Sequence, residues 1–66
     1  MAVKELDVVA LIEDLPMEGL AAGDRGTVVH IFHTPDPAYE VEFVDRYGAT
    51  FAMATLKADQ FRVIAQ

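Results

Sequence analysis

The stretch Ala22-Gly23-Asp24-Arg25-Gly26-Thr27-Val28-Val29 places a turn directly before a strand. Glycine adopts positive φ without steric cost and aspartate bonds its own backbone, so residues 23–26 predict a tight turn. The β-branched run that follows suits a pleated, half-buried surface and predicts a strand from about residue 26 to residue 33. Before this turn the sequence predicts one strand and a long loop, and after it a meander of short strands.

The segment of residues 5–12 is too short for a helix and rich in β-branched residues. Asp7, Val9 and Leu11 alternate onto one face. Because Val9 and Leu11 are apolar, we expect the strand to be covered on both sides. The opposite face carries four apolar residues: Leu6, Val8, Ala10 and Ile12.

Residues 13–20 cannot continue that strand, because Pro16 lacks a ladder donor and Gly19 favours a turn. We expect Leu15 and Leu20 to anchor this loop in the core.

Residues 38–44 show the clearest alternation of the chain and predict the third strand. Its acidic residues, Glu40 and Glu42, should face outward. Its large apolar residues should face the opposite side: Tyr39, Val41 and Phe43.

The prolines and aspartate of residues 34–37 predict the turn between the second and third strands. If the hairpin loop is these four residues, Phe32 pairs with Tyr39 and Val28 pairs with Phe43. That register would align one aromatic side chain with another.

The fourth strand, residues 50–56, sets Phe51 and Met53 against Ala52 and Ala54. Small side chains allow another surface to approach closely, so the alanine face is the leading candidate for an interface. The alternative is that both alanines lie under the loop of residues 13–20.

Three further segments complete the expected fold. Residues 45–48 predict a turn with Gly48 at positive φ, residues 57–60 predict a 3-10 turn, and residues 61–64 predict a closing strand. Five short strands, three tight turns and one 3-10 turn before the last strand predict an all-β protein with a small SH3-like barrel. We expect residues 1–66 to form this single domain.

The composition is acidic and apolar at once. Eleven carboxylates oppose five lysines and arginines, for a net charge of −6, and apolar residues make up 53% of the chain. Nucleic acid and anionic membranes attract basic surfaces, so this balance disfavours both as partners and favours a basic protein. A domain of this size cannot hide so much apolar surface, so we expect a homo-oligomer or a protein partner.

The start of the chain is charged and lacks the continuous apolar core of a signal peptide. No apolar stretch approaches the roughly 20 residues that span a bilayer. We therefore expect a cytoplasmic protein that does not enter the membrane.

Catalytic and metal-binding patterns are weak in this sequence. Serine and cysteine are absent, which excludes them as nucleophiles, disulfides or thiolate ligands. His30 and His33 should lie on opposite faces of a strand, and Glu40 and Glu42 on an exposed face. The acidic loop residues 13–18 are typical of a solvated turn. We therefore predict no enzyme activity, no cofactor and no metal.

Two long segments carry a resemblance to a known family and together cover nearly the whole chain. The first contains Glu5-Leu6-Asp7-Val8-Val9-Ala10-Leu11, Glu13-Asp14-Leu15-Pro16, Gly19-Leu20 and Gly23-Asp24-Arg25-Gly26-Thr27-Val28-Val29. The second contains Tyr39-Glu40-Val41-Glu42-Phe43-Val44-Asp45, Thr55-Leu56 and Ala58-Asp59-Gln60-Phe61-Arg62. In this order they resemble the small bacterial family catalogued as domain of unknown function 4926. The resemblance implies an SH3-like barrel and no established activity.

These observations favour a protein–protein interaction module that self-associates or docks onto a partner. An antitoxin-like or immunity-like protein belongs to this class. The alternative is an RNA-associated accessory module, since the turn before the second strand is similar to the opening of KOW-type domains; Arg25 and Arg46 would then contact RNA. For the interaction module, the predicted partner-binding residues are Phe32, Glu40, Glu42, Tyr47, Ala52 and Ala54.

Overall fold

The computed structural model describes residues 2–66. The five strands are β1 (Val8–Leu11), β2 (Arg25–Phe32), β3 (Ala38–Val44), β4 (Thr50–Leu56) and β5 (Phe61–Ala65), with 3-10 turns at Pro16–Glu18 and Ala58–Gln60. The predicted all-β fold class, with five strands and a 3-10 turn directly before the last one, is confirmed. Within the described residues, no helix is long and apolar enough to cross a membrane.

The strands form one antiparallel sheet in the order β4-β3-β2-β1-β5. Three of them, β2 to β4, are a meander, and β1 lies between β2 and β5. Every strand contributes to one buried cluster, so the sheet has to curl around it, as the sheet of an SH3-like barrel does. The cluster consists of Val9, Leu11, Leu20, Val28, Val41, Phe43, Ala54, Leu56 and Phe61.

The core-facing side of β1 is that of Val9 and Leu11. On the opposite side Ala10 is also buried, whereas Leu6 and Ile12 are exposed. Coverage on both sides, as the sequence predicted, therefore holds for the centre of the strand but not for its flanks.

Asp7 is a buried carboxylate, only 3% exposed, that the sequence pattern did not single out. Its Oδ2 accepts a hydrogen bond from the Lys4 backbone N–H at 2.8 Å, and its own N–H donates to the Lys4 carbonyl at 3.1 Å. Its carbonyl accepts from Val28 N–H at 2.9 Å. Asp7 thus holds the segment before β1 in place against β2.

The turn before β2 lies earlier than predicted. Gly23 has φ of 92°, and the Asp24 side chain accepts from Ala21 N–H at 2.9 Å. Gly26 already belongs to β2. A Cβ on Gly26 would lie 2.6 Å from Val41 Cγ1, so glycine is required there by close approach of β3 rather than by a turn.

The register of β2 against β3 also differs from the predicted one. The loop spans the five residues 33–37, and the register shifts between Val28 and His30. The predicted pairs of Phe32 with Tyr39 and of Val28 with Phe43 are therefore wrong. The observed pairs are Gly26–Phe43, Thr27–Glu42, Val28–Val41, His30–Glu40, Ile31–Tyr39 and Phe32–Ala38.

Candidate functional site

The two faces of β4 are reversed relative to the predicted interface. Ala54 is 7% exposed and belongs to the core, and Ala52 packs against it. Residues directly opposite each other in an antiparallel pair share a face, and Ala52 lies opposite the core residue Phe43. Met53 lies opposite Glu42 and points the other way, whereas Phe51 lies at the register shift between Phe43 and Val44. Both side chains are exposed, Phe51 by 49% and Met53 by 48%. The expectation of an open alanine face is wrong, and the open face of β4 is that of Phe51 and Met53.

The acidic residues of β3 lie on the same side of the sheet as Met53. Glu40 and Glu42 are half-buried, on the face opposite the core, as their alternation with large apolar residues predicted. Glu42 is directly opposite Met53, and Glu40 is directly opposite Thr55. The Thr55 hydroxyl donates a hydrogen bond to Glu40 Oε1. This holds one carboxylate beside the edge strand β4.

Phe32 and Tyr47 lie at opposite ends of β3. Phe32, half-exposed at the end of β2, is opposite Ala38 and makes an edge contact with His30 at 4.6 Å between ring centroids. Tyr47 is 82% exposed beyond the other end of β3, with the Arg46 guanidinium 5.5 Å from its ring centroid. Seven strand residues span about 20 Å. The six predicted partner-binding residues therefore do not form one continuous patch.

Asp45 organises the turn that presents Tyr47. Its Oδ1 accepts from Tyr47 N–H at 2.8 Å and from Ala49 N–H at 3.0 Å. Gly48 has φ of 84°, as predicted for this position. The turn sets the start of β4 and so determines which of its side chains face outward.

A groove of about 430 Å³ runs along β4, in the range of small ligand sites. Its walls are Met53–Leu56 of β4, Glu40 of β3, Leu15 and Glu18 of the loop after β1, and Gln60 of the second 3-10 turn. It therefore combines apolar side chains with two carboxylates. Neither Phe51 nor Met53 was chosen as a binding residue from the sequence, and the register of Phe43 against Ala52 is the signal that identifies their outward face.

The loop wall of the groove is held by backbone hydrogen bonds. Leu15 N–H donates to the Leu20 carbonyl at 2.9 Å, and Leu20 N–H donates to the Leu15 carbonyl at 3.1 Å. Gly19, at φ of 73°, ends the 3-10 turn between them. Leu20 is buried and Leu15 packs against the core, as predicted. These contacts fix the position of Glu18 beside β4.

The other acidic residues of that loop have structural partners. Glu13 Oε2 accepts from Gln60 Nε2 at 3.2 Å, and Asp14 Oδ1 accepts from Ala22 N–H at 2.9 Å. Across residues 2–66, no group of three or more histidine, aspartate or glutamate side chains is placed to hold a metal ion.

Two arginines share one row of the sheet. Arg25 and Arg62 both lie opposite Ala10, on the strands that flank β1. Arg46 lies apart from that row, in the turn after β3. An RNA contact through Arg25 and Arg46 stays a prediction.

The fold and this surface define a small, acidic all-β protein with an exposed apolar and carboxylate-lined strand. Residues 5–63 match the family described as domain of unknown function (DUF4926), and the chain belongs to that family. No curated protein and no solved structure matches it.

Proposed function

We propose that this protein is a protein–protein interaction module whose binding surface is the outer face of β4 and β3. The observation that carries the proposal is the exposure of two large apolar side chains, Phe51 and Met53, two positions apart on one strand. Large apolar side chains presented together mark interaction sites on small proteins more often than scattered ones do. Such residues form the anchors of an interface.

Charge supports the same surface. Glu42 lies opposite Met53, Glu40 lies opposite Thr55 on the same strand, and the chain has a net charge of −6. An apolar centre with a charged border is the usual anatomy of a specific interface. The acidic border favours a partner with a basic surface, which electrostatic attraction would steer toward this face.

A tagged pull-down from a lysate of the source cell, with native mass measured on the same eluate, tests this function. The wild type should capture a stoichiometric partner or elute as a homo-oligomer. The double variant Phe51→Lys/Met53→Lys should lose that association, because two cations would have to be desolvated in the apolar centre.

Leu6→Lys is the control. The Leu6 side chain is exposed, and its backbone N–H donates to the Val28 carbonyl of β2, which is separated from β4 by β3. It should retain the partner and the native mass of the wild type. A monomeric wild type without any bound protein would refute the interaction module.

A further inference from the structure

The edge strand β4 lacks the charged side chains and the proline that often protect a sheet edge. Natural proteins block such edges with charged residues, proline or a covering element. Residues Thr50–Leu56, with the sequence Thr-Phe-Ala-Met-Ala-Thr-Leu, contain no charged residue and no proline. The strand at the other edge, β5, carries Arg62. The β4 edge is therefore the more open to an additional strand.

The backbone of β4 has unused hydrogen-bonding groups on that edge. In a strand, alternate residues direct their N–H and C=O groups to opposite neighbours. Within residues 2–66, the backbone of residues 50–56 bonds only to β3. Pairing with β3 is regular from Ala52 to Leu56, so this part of β4 presents a regular edge.

The groove beside this edge is acidic. Among the described residues 2–66, Glu18 and Glu40 are the two ionisable residues that line it, and no lysine or arginine does. Leu15, Met53 and Leu56 supply apolar surface between the carboxylates. A cationic side chain on an apolar stem would match both features, because lysine and arginine bury their methylene groups while the charge stays at the surface.

We propose that β4 binds an extended, basic segment of a partner protein, which adds a sixth strand to the sheet. The segment pairs its backbone with the free edge of β4. One of its lysine or arginine side chains lies in the groove between Glu18 and Glu40. This inference rests on the proposed function and specifies the chemistry of the partner. Backbone pairing supplies affinity in this mode of recognition, and side-chain pockets supply specificity.

Charge distinguishes such a segment from a second copy of the chain. Pairing β4 of two copies would bring two acidic grooves together, and each copy carries a net charge of −6. Neither β4 nor the 3-10 turn Pro16–Glu18 contains a lysine or arginine to neutralise them. Like charges at close range disfavour that dimer.

The test uses amide hydrogen exchange by NMR on the full chain with a synthetic decapeptide of alternating lysine and valine. The peptide should slow exchange at the outward-directed amides of residues 50–56 and leave residues 61–65 unchanged. A decapeptide of alternating glutamate and valine should have no effect. A lysine–valine peptide that is N-methylated at alternate residues should also fail, because it cannot complete the backbone pairing.

The variant Glu18→Gln/Glu40→Gln separates charge recognition from edge pairing. It should bind the lysine–valine peptide about three- to tenfold more weakly, as expected for the loss of two partly exposed ion pairs. The control Glu5→Gln/Asp36→Asn removes the same charge from other exposed positions and should retain wild-type affinity.

Three outcomes would overturn the inference: no slowing at β4, slowing at β5 instead, or equal binding of the acidic peptide. A dimer of the protein alone that protects residues 50–56 would also overturn it, in favour of a second copy. If a captured partner binds Glu18→Gln/Glu40→Gln as well as the wild type, the interaction module stands and the basic segment is refuted.

Discussion

At the scale of single residues, Gly26 and Asp7 have roles set by contacts rather than by local conformation. Gly26 lies on β2 against β3, and its missing side chain leaves room for Val41. Asp7 is buried and satisfies a backbone donor of Lys4. Gly26 acts where β2 packs against β3, and Asp7 acts where the segment before β1 bonds to β2.

Gly26→Ala should lower the free energy of unfolding by about 2–3 kcal/mol, because the new Cβ would also meet the Glu42 carbonyl oxygen at 2.8 Å. In an open site, alanine would instead stabilise the protein by about 0.4–1 kcal/mol, because it lowers the conformational entropy of the unfolded chain. Urea unfolding measures the sign. Gly48→Ala is the control; its site is open but has positive φ, and it should cost about 1 kcal/mol. A Gly26→Ala protein as stable as the wild type would show that β2 and β3 are not this close.

Asp7→Ala should destabilise the protein by about 1–3 kcal/mol, since it leaves the Lys4 N–H without its carboxylate partner. Asp36→Ala, at an exposed position in the loop after β2, should change stability by less than about 0.5 kcal/mol. Thermal unfolding of both variants compares them directly. Equal melting temperatures would contradict the structural role of Asp7.

At the scale of elements, the orientation of β4 decides which of its side chains are buried and which are exposed. The inward side chains of β4 are Ala52, Ala54 and Leu56, which lie in or against the core, with Ala52 directly opposite Phe43. Its outward positions carry Phe51 and Met53. The same seven residues thus supply both a tight core contact and an exposed apolar surface.

Ala54→Leu should cost about 1–3 kcal/mol, because three additional carbon atoms have no space in the core. Met53→Leu, one position away on the exposed face, should change stability by less than about 0.5 kcal/mol. Chemical denaturation of both variants tests the assignment of the two faces. A larger loss for Met53→Leu would reverse it.

The sequence predicted the strands well, because turn residues such as Pro35, Asp45 and Gly48 act locally. It also placed Glu40 outward, since the neighbouring strand positions are large and apolar. The sequence did not predict which face of β4 is buried, because only the register against Phe43 distinguishes the alanine face from the opposite face. That register depends on the turn of residues 45–49 and on contacts distant in sequence. The predicted β2–β3 register was wrong for a similar reason, since the register shift near Val28 has no local sequence signal.

At the scale of the whole molecule, the excess of carboxylates sets the electrostatic field that a partner would meet. Arg25 and Arg62 form one row on β2 and β5, but the net charge is −6. Phosphate binding requires many cations at once, whereas an apolar surface with an acidic border does not. The net charge therefore supports the proposed basic protein partner over RNA.

Titration with labelled RNA at two salt concentrations separates these two classes of partner. We expect no association that weakens steeply as salt rises, because few phosphates could be neutralised. A steep loss of RNA affinity with salt that is abolished by Arg25→Ala/Arg46→Ala would instead establish the RNA-associated function.

The most direct test of the interaction surface is the affinity of the purified captured partner, measured by calorimetry. Phe51→Lys/Met53→Lys should weaken binding at least about tenfold, since buried anchor residues each contribute more than about 1 kcal/mol. Leu6→Lys should bind as the wild type does. If both variants bind with wild-type affinity, the partner uses another surface, and the outer face of β4 is not the binding site.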